Sequence, residues 1–202
     1  GDVYKRQGIE NVKKIVFHAQ DLGIKIVTVY AFSIKNWERS EEEVNYLMRL
    51  FENFIDKELQ RFHKRGIKCR HLGKLKGLPS SLQKKIKEAI QLTKNNKKMI
   101  VQVALNYDGR DEIKRAVQRI IKQKVKPEEV DEKLISQNLD TQGLPDPDLI
   151  IRTSGEQRLS GFLLWQASYA EFYFPKIYWP DFDEREFDKA ILEYQRRERR
   201  FG

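Results

Sequence analysis

A chain of 202 residues is long enough for one domain with a sizeable core, or at most two small ones. Its formal charge of +9 favours an anionic partner: nucleic acid, an anionic membrane surface or a phosphorylated small molecule. One cysteine, Cys69, excludes an internal disulfide and suits a reducing compartment, and no apolar run approaches the roughly 20 residues that span a bilayer. No signal peptide is visible, and residues 1–7 carry no assignable pattern. The chain starts without a Met and stops at Arg200-Phe201-Gly202; both ends read as cuts, so a fragment of a longer protein is expected.

Residues 9–20 read as a helix with Val12, Ile15, Val16 and Ala19 on one face, stopped by Gly23. The β-branched and aromatic run 24–32 predicts a buried strand that delivers Ser33, Lys35, Asn36 and Trp37 at its end. Ser40-Glu41-Glu42-Glu43 is a capping box, and a long helix is expected to about residue 65, with Gly66 as its stop. A short strand follows at 67–72, then a helix capped by Ser80 or Ser81 to about 95 and a buried strand at 99–106. Asp108-Gly109 turns into an amphipathic helix over 111–124. Residues 127–139 suggest a short helix in a charged insertion. After the break at 143–147 come a strand at 149–152, a helical turn at 162–167, a strand at 170–174 and a basic helix from 183 to about 200.

This alternation predicts an α/β fold, a single domain over 1–202 with a mostly parallel central sheet flanked by helices. Ligands of such sheets bind beyond the carboxyl ends of the strands. Three strand ends are polar: 33–36, 106–110 and 152–160. The last organises the chain. Leu149-Ile150-Ile151 runs into Arg152, Ser154, Gly155, Glu156, Arg158 and Ser160. Forked guanidinium groups and hydroxyls suit diphosphate oxygens. The alternative is a surface loop whose arginines pair with Glu156 and neighbouring acids.

Glycine-rich nucleotide motifs and a nucleophile elbow are absent. His18, His63 and His71 lack metal-ligand spacing, and Cys69 reads as a packed thiol. Glu171 stands in an otherwise apolar strand, where a charge is costly unless paired. It is either an edge residue or ion-paired with an arginine, or a ligand for Mg²⁺. Trp37 and the face Leu47, Met48, Phe51, Phe54 and Ile55 are either core or the walls of an apolar channel.

Five motifs carry a resemblance. They are Tyr30-Ala31-Phe32-Ser33-x-x-Asn36-Trp37-x-Arg39; Asn106-Tyr107-x-Gly109-Arg110-x-Glu112-Ile113; Asp148-Leu149-Ile150-Ile151-Arg152-Thr153-Ser154-Gly155-Glu156-x-Arg158-Leu159-Ser160; Phe162-Leu163-Leu164-Trp165-Gln166 with Tyr169-Ala170-Glu171; and Trp179-Pro180-Asp181-Phe182. Together, from Gly8 onward, they resemble the cis-prenyltransferases of the undecaprenyl diphosphate synthase type. The resemblance implies a homodimer that uses Mg²⁺. Its members condense isopentenyl diphosphate repeatedly onto an allylic diphosphate such as farnesyl diphosphate, and the long polyprenyl product serves as a cell-wall lipid carrier. It implies that Arg152, Arg158 and Ser160 hold the isopentenyl diphosphate head, that Leu159 binds substrate and that Glu171 is a Mg²⁺ ligand. Ser33, Ile34, Lys35, Trp37 and Arg39 would bind substrate, with Asn36 the catalytic candidate for the departing proton. The long helix would wall a product tunnel, and Arg200 and Gly202 would reach the neighbouring subunit's site.

The single cysteine suits a cytoplasmic protein, and the basic charge suggests peripheral contact with anionic lipid at the inner face of the membrane, where a long polyprenyl product must go; no nucleic acid partner is expected. The family's first strand and its Asp-Gly-Asn-Gly-Arg-Trp-Ala signature are missing from these residues, so the fragment alone is expected to be inactive and its parent active. Lys35 and Asp108 depart from the residues usual at their positions. Two other readings compete: a non-catalytic prenyltransferase-like subunit, and an RNA-binding module suggested by basic charge with 11 Phe and 8 Tyr.

Overall fold

The computed structural model describes residues 2–197, which fall into two compact units. The larger comprises Lys25–Pro145 and Gly161–Trp165, and the smaller Gly1–Ile24, Asp146–Ser160 and Gln166–Gly202.

In the larger unit, β1 (Ile26–Ser33), β2 (Ile67–Leu72) and β3 (Met99–Tyr107) form a parallel sheet in the order β1-β3-β2. Ile100 of β3 stands level with Ile26 on one side and Lys68 on the other. The central strand is buried on both faces: Leu105 packs in one cluster with Val44 and Leu82, Ala104 and Tyr107 pack with Leu163 and Phe162, and Val101 is buried too.

Helix α2 (Glu41–Lys64) begins where the Ser40 hydroxyl accepts the Glu43 N–H at 3.3 Å, with three glutamates in its first turn. It ends at Gly66, whose N–H donates to His63 O at 2.9 Å. Helix α3 (Ser80–Thr93) differs from expectation at its start. Pro79 occupies the cap position, and the Ser81 hydroxyl donates instead to Glu52. Val44 and Met48 of α2 pack with Leu82 and Ile86 of α3 and with Phe32 and Leu105 of the sheet, while Leu47, Phe51 and Ile55 lie half-buried against them. Each such side chain contributes about 1.5–3 kcal/mol on burial. Thr93 accepts the Cys69 N–H at 2.9 Å, and burial pushes the Cys69 thiol up, as suits a packed, protonated sulfur.

Helix α4 (Gly109–Lys122) starts two residues earlier than its periodicity suggests, because the Asp108 carboxylate caps the N–H groups of Arg110 and Asp111. Gly109 is required by close approach. Its N–H donates to Gly161 O at 2.7 Å, and a Cβ there would meet Gly161 O and Leu164 Cγ at 2.7 Å. The charged insertion resolves into a 3₁₀ turn, Pro127–Glu129, and α5 (Glu132–Gln137), capped by Asp131. It ends in the buried residues Asn138 and Leu139, so it is not wholly a solvated excursion.

In the smaller unit, α1 (Asp2–Asp21) includes residues 2–7, for which the sequence offered no pattern. It is held along its N-terminal half. Trp179 Nε1 donates to Gly8 O at 2.7 Å, and Asn11 Nδ2 donates to Trp179 O and Phe182 O at 2.8 and 2.9 Å. Strands β4 (Leu149–Ile151) and β5 (Glu171–Tyr173) pair in parallel, Leu149 level with Glu171. Helix α6 (Glu184–Arg196) buries Phe187 and Ala190. The α/β class with parallel strands and flanking helices therefore holds. The described strands form a three-stranded and a two-stranded sheet, not one continuous sheet, because the three-residue β4 and β5 pair with each other. No described helix is long and apolar enough to cross a membrane.

Candidate active site

The first group of expected site residues lies in the larger unit, where β1 ends. Ile34, Lys35, Asn36 and Trp37 form a 3₁₀ turn, Ile34–Glu38, directly after Ser33. The Asn36 side-chain oxygen accepts the Ser33 N–H at 2.9 Å, so the proposed proton-handling amide also caps its own turn. Trp37 packs edge-on to Phe32 with ring centroids 5.2 Å apart, and its Nε1 donates to Asn106 Oδ1 at 2.9 Å. Its ring is thus anchored core cover on one side and 37% exposed on the other. Arg39 pairs with Glu43 at 2.8 Å, one turn into α2.

Asn106 is the hub at the end of β3. It holds a left-handed φ of 55°, and its amide donates to Lys74 O at 3.0 Å and Lys76 O at 3.2 Å. Beneath it lies a buried polar network. The Tyr107 hydroxyl donates to Glu112 Oε2, and Glu112 Oε1 accepts the Asp140 N–H at 2.9 Å. Arg115 donates in bidentate fashion to Asp140, at 2.7 and 2.6 Å, and to Asp111 at 2.8 Å. Burial opposes the charge of Asp140, yet hydrogen bonds from Arg115 and the Gly73 N–H hold its carboxyl below the usual range. Burial, then the Glu112 charge, pushes the Tyr107 hydroxyl well up. A polar cavity of about 380 Å³ adjoins this network. Its Arg70 and Arg119 guanidiniums already donate to the carbonyls of Asp140, Gln142 and Asn138. Asp140 was not legible as part of the site scaffold: it reads as one more charge in a polar loop.

The second group lies in the smaller unit. Arg152 follows β4, and its N–H donates to Tyr173 O at 3.0 Å. The loop then folds back, with Ser154 and Gly155 in left-handed conformations, Ser154 N–H donating to Ile177 O and Gly155 N–H to Pro175 O. This brings together three of the expected residues. Arg152 Nη1 donates to Ser160 Oγ at 2.8 Å and to Arg158 O. Arg158 pairs with Glu156, yet its side chain is 62% exposed. Leu159 is half-buried between them.

Glu171 makes no hydrogen bond or ion pair to the described residues of this loop. It opens β5 level with Leu149, about 10 Å behind Arg152 at 3.3 Å per residue. Its Oε2 accepts from Arg197 Nη1 at 2.8 Å, and Arg197 also donates to Phe172 O. Arg197 was not singled out from the sequence. No group of three or more His, Cys, Asp or Glu among the described residues is placed to hold a metal ion. A lone carboxylate fits Mg²⁺ only as one donor, in the common pattern where substrate phosphates and water complete the shell. Oε1 of Glu171 has no hydrogen-bond partner among the described residues and could be that donor. Arg200 and Gly202 lie outside the described residues. The histidines have ordinary partners: Asp188 for His18, Asn96 for His63 and Leu105 O for His71.

A prenyltransferase family model, described as undecaprenyl diphosphate synthase, matches residues 3–202. An isoprenyl transferase of Clostridium perfringens is 45% identical over 98% of this chain and 79% of its own length. A ditrans,polycis-undecaprenyl-diphosphate synthase of Pasteurella multocida, (2E,6E)-farnesyl-diphosphate specific, is 45% identical over 98% of this chain and 84% of its own. Among solved structures, lavandulyl diphosphate synthase from Lavandula x intermedia, in complex with dimethylallyl diphosphate, superposes with a TM-score of 0.94 at 37% identity, covering 98% of this chain and 87% of that one. A probable undecaprenyl diphosphate synthase from Campylobacter jejuni gives 0.87 at 36%, covering 97% and 92%.

Proposed function

The chain belongs to the undecaprenyl diphosphate synthase family of prenyltransferases, and from that membership we propose that it condenses isopentenyl diphosphate onto an allylic diphosphate such as farnesyl diphosphate. Repetition with cis double bonds would give a long polyprenyl diphosphate of the undecaprenyl kind, the lipid carrier for cell-wall building. The observation that carries the reading is the loop in which Arg152 Nη1 ties Ser160 Oγ to Arg158 O. One Arg152 nitrogen braces the loop, while its remaining N–H groups stay available to a diphosphate, and the exposed Arg158 guanidinium would exchange its Glu156 partner for one.

Each part has a role in this proposal. Arg152, Arg158 and Ser160 hold the isopentenyl diphosphate head, with Leu159 beside them. Ser33, Ile34, Lys35, Trp37 and Arg39 form the substrate loop, where Asn36 would help hand the proton lost, as the new double bond forms, to the departing pyrophosphate. Glu171 supplies one oxygen to Mg²⁺, which when bound offsets charge developing on the departing pyrophosphate. The apolar face of α2 lines the path of the growing chain and keeps water from the allylic cation. A homodimer completed by Arg200 and Gly202, peripheral contact at the inner membrane face and action of both units as one domain belong to the same proposal. The family match across both units supports the last.

The test is incorporation of radiolabelled isopentenyl diphosphate with farnesyl diphosphate and Mg²⁺ in the protein that carries this chain. Arg152→Ala is expected to lower kcat/KM by at least about a hundredfold, by losing charge-assisted contacts to the diphosphate. Undiminished incorporation in that variant would overturn the reading of the loop.

A further inference from the structure

The three strands of the larger unit run parallel, so their starts share one rim, opposite the polar loops at their ends. The helices between them run back, which brings the C-termini of α2 and α3 to that same rim. Lys25, Lys64, Lys68, Lys94, Lys97 and Lys98 all sit there. Lys25 O accepts the Ile100 N–H at 2.9 Å, Lys68 stands level with Ile100, and Lys98 N–H donates to Gly66 O at 3.0 Å. Five of the six are exposed and Lys68 is half-buried. None has a carboxylate within salt-bridge distance among the described residues, whereas Lys74, Lys85, Lys114 and Lys189 elsewhere are paired. Lysines at helix ends complement the dipole, but that asks for one or two per helix, not six on one rim. Leu92, in the last turn of α3, is exposed beside them.

We propose that this lysine rim docks the protein on a lipid bilayer carrying anionic headgroups. An unpaired cation cluster with an exposed leucine fits such a surface. A nucleic acid fits less well, because residues 64–68 and 94–98 offer no aromatic ring on which a base could stack. The choice of lipid also rests on the function proposed above. Helix α2 has 24 residues, so it is about 36 Å long. It begins beside the substrate loop and ends at Lys64, with Leu47, Phe51 and Ile55 half-buried along it. A hydrocarbon growing along that face would emerge where the rim meets the membrane.

Vesicle sedimentation tests this without substrate, in the protein that carries the chain. Wild type is expected to bind vesicles with phosphatidylglycerol in phosphatidylcholine, and not pure phosphatidylcholine. The variant K64Q/K94Q/K97Q/K98Q is expected to lose on the order of a hundredfold or more in partitioning, at roughly fivefold per lysine. The charge-matched K84Q/K87Q/K114Q/K133Q should lose less than about tenfold. Equal loss in both variants reduces the effect to net charge and overturns the proposal, as does equal binding to neutral vesicles. Single-stranded RNA that binds the rim more tightly than vesicles do would assign the surface to nucleic acid instead. Isopentenyl diphosphate incorporation by the rim variant in detergent solution separates the two claims. If wild type incorporates nothing, the catalytic reading fails while the binding result stands.

Discussion

Arg197 Nη1 lies 2.8 Å from Glu171 Oε2 and also donates to Phe172 O, so it fixes both the carboxylate and the backbone of the strand that carries it. The Glu171 hydrogen bond, more than the small opposing burial, keeps Arg197 charged. A carboxylate held by one oxygen presents the other in a defined direction, which a Mg²⁺ ligand requires. Arg197→Gln is therefore expected to reduce kcat about tenfold and to raise the Mg²⁺ concentration for half-maximal rate. Glu171→Gln should reduce it further and shift the Mg²⁺ requirement more. A Mg²⁺ titration of initial rates reads both, and an unchanged midpoint in Glu171→Gln would remove Glu171 as a ligand.

The Tyr107–Glu112–Asp140–Arg115 network lies directly below the Asn106 hub, so its main effect is on the stability of the larger unit. Asp140→Ala leaves the Arg115 guanidinium, only 14% exposed, without its bidentate partner. Breaking one side of such a pair costs about 3–5 kcal/mol. Tyr107→Phe removes one donor to the buried Glu112 and should cost about 1–3 kcal/mol. Urea unfolding measures both. Asp140→Ala costing less than Tyr107→Phe would show that the remaining pair with Asp111 is enough to satisfy Arg115.

These partners explain what could be read from the chain and what could not. Helix α2 was legible at both ends because Ser40, Glu43 and Gly66 act on backbone groups within a few residues. The Arg152–Ser160 loop was legible because strand, arginines and serines are contiguous. Asp140 was not: its carboxylate meets Gly73 and Arg115, 67 and 25 residues away. Arg197 sits in the run Arg196-Arg197-Glu198-Arg199-Arg200, where composition cannot single out one guanidinium. Residues 2–7 are helical although Val3 and Tyr4 are exposed, so no apolar stripe marks them. Whether the α2 face is core or channel wall stayed open because both need the same periodicity.

Acid sensitivity follows from His71. Burial, opposed by the hydrogen bond to Leu105 O at 2.8 Å, lowers its pKa below the ordinary histidine value of about 6.5. The folded state thus prefers the neutral ring. Stability is full above the ordinary value and is lost as pH falls from there toward the lowered folded value, because the unfolded chain binds the proton first. Asp140, depressed in the folded state, contributes a second loss only nearer pH 4 and below. His71→Gln keeps a donor for Leu105 O without a titrating ring. Its urea midpoint should change less than that of wild type between pH 7.5 and 5.5; parallel curves would exclude His71 as the cause.

Asn106 links the substrate loop to the sheet by two separable properties. Its left-handed φ of 55° is tolerated by Asn and by Gly, but only Asn accepts from Trp37 Nε1 and donates to Lys74 O and Lys76 O. Asn106→Gly therefore relieves no strain and removes three hydrogen bonds. A stability loss of about 1–3 kcal/mol is expected. Trp37→Phe keeps the edge contact with Phe32 and removes one hydrogen bond, so stability should fall by about 1 kcal/mol or less. If the turn binds substrate, both variants raise KM for the allylic diphosphate, Asn106→Gly more than Trp37→Phe, in the order of the hydrogen bonds lost. Equal KM values in both variants and wild type would confine the Trp37–Asn106 contact to folding.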